Sequence, residues 1–171
     1  VFTNLVLSGA VWKYLDTGGD PGPDWTGLEY DDGAWASGAS ELGYGDGDES
    51  TVVGYGPSSS ARYATTHFRC RFSVADASLV EAIQCRANVD DGAIFHLNGT
   101  EVARLRMQDG PVAYSSYTTR GGNEYGFEEI AIPTGLLVSG ENILAVEVHQ
   151  SSATSSDLSL DVELSIGETS R

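Results

Sequence analysis

The stretch Asp90-Asp91-Gly92-Ala93-Ile94-Phe95-His96-Leu97-Asn98-Gly99-Thr100-Glu101-Val102 decides the fold class. It reads as a strand end, an acidic turn, a short strand, an Asn-Gly hairpin and a returning strand. Asn98-Gly99 between alternating apolar residues is the strongest short-range hairpin signal, because both central residues of a type I′ turn need positive φ. At the acidic turn, Gly92 is the residue expected to supply φ > 0.

Strand patterns extend outward from this hairpin. Residues 65 to 74 alternate, residues 79 to 89 follow, and 127 to 132 run to a stop at Pro133-Thr134-Gly135. Residues 142 to 150 place Leu144, Val146 and Val148 on one face, and residues 158 to 166 alternate with one face in the core and one in water. Short strands are expected around Leu5-Val6-Leu7 and at residues 11 to 15. No window supports a long amphipathic helix, although residues 75 to 82 suit a single turn. About eight strands with long loops predict an all-β domain, a jelly-roll β-sandwich of two antiparallel sheets spanning residues 1–171.

Between residues 16 and 60 the chain shows little periodicity, yet it holds Trp25, Trp35, Tyr30, Tyr44 and Tyr55. Disordered segments are poor in aromatics, so this long stretch is expected to be ordered and functional or held by ions.

Lys and Arg total 9 against 25 Asp and Glu, a net charge of -16. That balance argues against nucleic-acid or anionic-membrane partners, which need a phosphate-neutralising stripe. It suits a secreted, extracellular protein, and it suits Ca²⁺, whose ligands are carboxylate and carbonyl oxygens. No apolar run approaches the roughly 18 residues that span a bilayer. Val1 opens directly on domain-like sequence with no signal peptide, as in a mature product or an excised module of a larger protein. Cys70 and Cys85 both share the apolar face of a strand, either as one core disulfide or as two buried thiols.

Several segments resemble the galactose-binding-domain-like jelly rolls found beside catalytic domains in bacterial secreted glycosidases, including the sugar-binding domains of β-galactosidase and β-glucuronidase relatives. They are Tyr30-Asp31-Asp32-Gly33-Ala34-Trp35, Leu42-Gly43-Tyr44-Gly45-Asp46, His67-Phe68-Arg69-Cys70-Arg71-Phe72, Val89-Asp90-Asp91-Gly92 through Leu97-Asn98-Gly99, and residues 137 to 148. The resemblance covers residues 12 to 164 and implies fold more strongly than function, because this fold hosts lectins, enzyme-side modules and spacers. It also implies a structural Ca²⁺ that ties an N-terminal loop to the last strand.

Asp46 and Asp48 in a Gly-rich acidic loop, the pair Asp90 and Asp91, and Asp157 before the last strand are the candidate Ca²⁺ ligands. Asp90-Asp91-Gly92 also reads, and more simply, as an Asx-type turn between strands. Candidate sugar-binding residues are Trp25, Tyr44, Tyr114, Tyr117, Arg120, Asn123 and His149: flat aromatic faces for stacking on sugar rings, with polar groups for the hydroxyls. His149, Asp157 and nearby serines invite a hydrolase reading. The chain lacks a Gly-x-Ser-x-Gly elbow, and a loop histidine satisfied by a carbonyl or carboxylate is the simpler account. The sequence therefore predicts a non-catalytic carbohydrate-binding module for a polysaccharide or oligosaccharide, without membrane insertion and covalently linked to a catalytic domain in a longer chain. The alternative is a structural spacer or protein-interaction sandwich of the same fold.

Overall fold

The computed structural model describes residues 1–121 and 126–169. In chain order the strands are β1 (Phe2–Val6), β2 (Val11–Leu15), β3 (Ala36–Ala39), β4 (Leu42–Tyr44), β5 (Thr51–Val52), β6 (Thr65–Val74), β7 (Val80–Asp90), β8 (Gly92–Leu97), β9 (Thr100–Leu105), β10 (Phe127–Ile130), β11 (Gly140–His149) and β12 (Leu158–Glu168). Short 3₁₀ turns lie at Pro23–Thr26, Ala77–Leu79 and Thr134–Leu136. No helix among the described residues is long and apolar enough to cross a membrane.

The strands form two sheets. The first has the order β10-β7-β12-β4-β5, with β1 also pairing β12, and the second has the order β3-β2-β6-β11-β8-β9. β4 and β5 run parallel, and the other pairs among the described residues run antiparallel. The all-β, two-sheet sandwich expected from the sequence is the observed architecture.

The core lies between the sheets and follows the two-residue side-chain period of each strand. Phe68, Cys70, Phe72 and Val74 from β6, and Leu144, Val146 and Val148 from β11, meet Leu158, Leu160, Val162, Leu164 and Ile166 from β12. Each such aliphatic or aromatic side chain contributes about 1.5–3 kcal/mol by leaving water. Cys70 and Cys85 join this core as free thiols. Burial pushes both thiols up to about 12, so they pack as small hydrophobes.

The hairpin forms as read, with Asn98 at φ 50° and Gly99 at φ 88°. The Asn98 side chain ties the turn to β11: its Oδ1 accepts from the Ile143 amide at 2.9 Å and its Nδ2 donates to Asn142 Oδ1 at 2.8 Å. The acidic turn differs from expectation, because Gly92 is absent from the positive-φ glycines. Asp91 is the step between sheets, since β7 ends at Asp90 in the first sheet and β8 begins at Gly92 in the second. Glycine is required at 92 by space, as a Cβ there would lie 2.6 Å from the Leu105 carbonyl oxygen. The aperiodic stretch 16 to 60 contains β3, β4 and β5, strands of two to four residues that are too short to show a period.

Candidate functional site

The site grows from the alternation of β6. Phe68, Cys70 and Phe72 point into the core, so Thr65, His67, Arg69 and Arg71 fall on the opposite face of the sheet. A polar face normally meets water. Here Thr65, His67 and Arg69 are only 1%, 4% and 1% exposed, because the segment between β2 and β3 folds back over them.

Arg69 fastens that segment. Its Nε donates to Asp32 Oδ2 at 2.8 Å, Nη1 donates to the carbonyls of Trp25 and, at 3.0 Å, Gly27, and Nη2 reaches the Tyr30 carbonyl at 3.4 Å. The guanidinium also lies 5.1 Å from the Tyr30 ring centre. A buried charge persists only when its partners are this complete. Trp25 and Trp35 stack at 6.4 Å over Ala145 of β11 and form a second small apolar cluster.

Beside this clamp a cleft of about 300 Å³ opens between the covering segment, β6, β11 and the stretch around Tyr114. Trp25, His67, Tyr114, Thr65, Asp20 and Glu147 line it. The His67 ring meets Trp25 edge-on at 4.8 Å and stacks on Tyr114 at 6.1 Å. Burial pulls the His67 pKa down to about 4, so the ring is neutral at physiological pH. Its Nδ1 is buried without a hydrogen-bond partner among the described residues. Glu147 Oε1 meets His149 Nε2 at 2.8 Å, while His149 Nδ1 faces the Ser116 carbonyl at 2.7 Å and Thr65 Oγ1 at 3.0 Å.

The sequence-derived binding residues therefore divide. Trp25 and Tyr114 meet at the cleft. Tyr117 and Arg120 lie exposed on the neighbouring stretch, which is anchored by the Thr118 amide donating to the Gln150 carbonyl at 3.1 Å. Asn123 lies outside the described residues. Tyr44 and His149 are corrections. Tyr44 is 4% exposed, its hydroxyl meets Gln150 Nε2, and Arg62 lies 5.1 Å from its ring centre. His149 is fully buried and its ring nitrogens are taken up by Glu147, Ser116 and Thr65, so it supports the cleft from behind and joins no serine-based triad. Sequence reading missed His67 and Glu147, whose outward register on β6 and β11 marks a solvated face until the covering segment is placed.

A larger groove of about 1040 Å³ crosses the first sheet past Gln84, Arg86, Glu129 and Glu163. None of its lining residues is aromatic, so it offers polar groups without a stacking face.

The acidic residues also divide. Glu41, Asp46 and Asp48 bring carboxylate oxygens within 4.8 Å of one another. Ser159 Oγ donates to Asp46 Oδ2 at 3.0 Å. Burial, followed by the neighbouring carboxylates, raises the pKa of both Glu41 and Asp46 against the opposing Ser159 hydrogen bonds. Three hard anionic oxygens in mutual repulsion are a donor set that fits Ca²⁺. Glu41 was not anticipated. It enters because the chain after the loop returns beside β4, with the Ser50 and Thr51 amides donating to the Glu41 carbonyl at 3.0 and 3.1 Å. Asp157, expected as a partner of Asp46 and Asp48, lies between the two groups: its charge raises the Asp46 pKa and also acts on Asp90. Burial first, then Asp91 and Asp157, push the Asp90 carboxyl far above the usual carboxylate range. Asp91 Oδ2 accepts from the Ser151 amide at 2.8 Å and from Ser155 Oγ at 2.6 Å.

No family model and no curated protein matches this chain. Solved structures do match. A β-glucuronidase from Bacteroides uniformis is similar at 17% identity and a TM-score of 0.64, over 97% of this chain and 18% of that one. A calcium binding mutant of Bacteroides uniformis beta-glucuronidase 2 aligns at 17% identity and a TM-score of 0.63, with the same coverage of 97% and 18%. A β-glycosidase from Bacteroides vulgatus aligns at 15% identity and a TM-score of 0.58, over 95% of this chain and 20% of that one. The chain thus spans about a fifth of the length of these enzymes, and the likeness it shares with them is that of the β-sandwich fold.

Proposed function

We propose that this chain is a non-catalytic carbohydrate-binding module of the galactose-binding-domain-like jelly-roll kind, acting beside a catalytic domain in a secreted bacterial glycosidase or adhesin. The observation that carries the reading is the cleft itself. It places the rings of Trp25 and Tyr114, a neutral and unpartnered His67, and two carboxylates on a face held rigid by Arg69. Such a cleft gives a sugar apolar ring faces and hydrogen-bonding groups for its hydroxyls at small cost in ordering, since the groups are already fixed. Binding through it would keep an attached catalytic domain at high local concentration on a polysaccharide. The fold likeness to segments of large glycoside hydrolases supports the same reading.

In this proposal Glu41, Asp46 and Asp48 hold a structural Ca²⁺ that fastens the loop after β4 against β12. Asp90 and Asp91 form a second acidic pair, with Asp157 between them and Asp46. The cation's role is to neutralise the cluster and order the loop.

Affinity-gel retardation across a panel of polysaccharides tests the reading. At least one polysaccharide should retard the native chain, and Tyr114→Ala should weaken that binding roughly tenfold, about 1.4 kcal/mol, with an unchanged circular dichroism spectrum. Retardation that survives Tyr114→Ala would place the site elsewhere. Absence of binding throughout the panel would favour a spacer domain, and glycan turnover by the purified chain would overturn the non-catalytic assignment.

A further inference from the structure

We infer that the cleft selects a cationic amino sugar, a 2-amino-2-deoxy hexose residue carrying a free ammonium, and discriminates against uronic acids. This rests on the cleft being the sugar site and adds the chemical class of its ligand.

Among the described residues, the charged ones lining the cleft are Asp20 and Glu147, and none is a lysine or arginine. Glu147 Oε1 is engaged by His149, which lies behind it, and none of the described residues donates to its Oε2. Asp20 Oδ1 accepts from the Gly22 amide at 2.9 Å, and its Oδ2 likewise has no described donor. The cleft therefore offers open carboxylate lone pairs, and nothing in its lining donates to a ligand carboxylate with full charge. His67 is 4% exposed and lines the same cleft, and its Nδ1 takes no hydrogen bond among the described residues, so it supplies a neutral group for a ring hydroxyl.

An ammonium brings three donors and one positive charge, which answers both carboxylates. Tyr114, half-buried at the cleft, adds a ring face that also attracts cations. A uronate would bring a further negative charge against Asp20 and Glu147 in a chain of net charge -16.

Calorimetric titration at pH 6 decides the matter, using oligomers of glucosamine, N-acetylglucosamine and a glucuronate-containing glycan of equal length. Glucosamine oligomers should bind at least tenfold more tightly than the N-acetylated ones, and the uronate oligomers should show no heat. Asp20→Asn and Glu147→Gln should each reduce glucosamine binding at least fivefold, while Glu129→Gln on the opposite sheet should leave it unchanged. An equal loss in Glu129→Gln would mean general attraction to an acidic surface and would overturn the inference. If N-acetylated or uronate oligomers bind as tightly as glucosamine and lose binding in Tyr114→Ala, the cleft is a sugar site of another class, so only the selectivity fails. If no oligomer binds, the inference fails together with the sugar-site reading. Each variant's melting temperature reports whether the fold survives, and the exposed Asp20 provides a position free of the His149 contact.

Discussion

Replacing Arg69 with methionine keeps an unbranched apolar stem and removes the charged guanidinium that clamps residues 16 to 35 onto β6. Asp32, 8% exposed, would be left as a buried carboxylate, and the carbonyls of Trp25, Gly27 and Tyr30 would lose the guanidinium as a donor. Removing one partner of a buried ion pair costs about 3–5 kcal/mol, because the other charge stays desolvated. For a chain of this size each kcal/mol moves the melting temperature by about 2–4 °C, so Arg69→Met should melt about 6–20 °C lower. Thermal unfolding by circular dichroism reads this directly. Trp25 and Trp35 are 6% and 8% exposed, so tryptophan emission should shift to the red well below the global transition as the segment loosens. The double variant Arg69→Met with Asp32→Asn separates the causes. It relieves the orphaned charge and should recover part of the loss. A single variant that melts within 2 °C of the native chain, or a double variant no more stable than the single, would refute the clamp.

The pH dependence carries a sign. His67 titrates near 4 when folded and near 6.5 when unfolded, so its contribution is complete above 6.5 and is lost as pH falls toward 4, by about 3 kcal/mol in full. Burial also lowers His96, which acts in the same direction. Asp90, raised when folded, acts oppositely and stabilises below its unfolded value, losing that contribution as pH rises through its folded one. The native chain should therefore lose stability relative to His67→Gln between pH 6.5 and 4, measured by urea titration; parallel curves would rule out a buried neutral His67. Stripping with EDTA and adding Ca²⁺ to about a hundred times its dissociation constant should stabilise the fold by about 2.7 kcal/mol, a rise of about 5–10 °C. Glu41→Gln should abolish that rise. Leu160→Ala, at a fully buried position on β12, should cost about 2–5 kcal/mol by calorimetry without altering sugar binding.

Much of the sandwich was legible locally. The Asn98-Gly99 turn, the alternation of β6, β11 and β12, and the apolar face each presents all follow from rules that act over a few residues. The short strands β3, β4 and β5 were not legible, because two to four residues carry no period and their pairing depends on distant partners. Tyr44 read as a loop aromatic because nothing nearby in sequence shows that Gln150 and Arg62 close over it.

By itself the sequence determined the all-β class, the hairpin and the set of side chains that must leave water, since side-chain direction in a strand alternates whatever the rest of the chain does. Tertiary structure alone decided that the polar face of β6 would also be covered. Arg69 meets Asp32 across 37 residues, His67 becomes a neutral cleft residue, and Glu41 joins Asp46 and Asp48. The physical reason is that burial of a charged or polar group is favourable only once every partner is in place, and those partners come from segments whose positions no local pattern specifies.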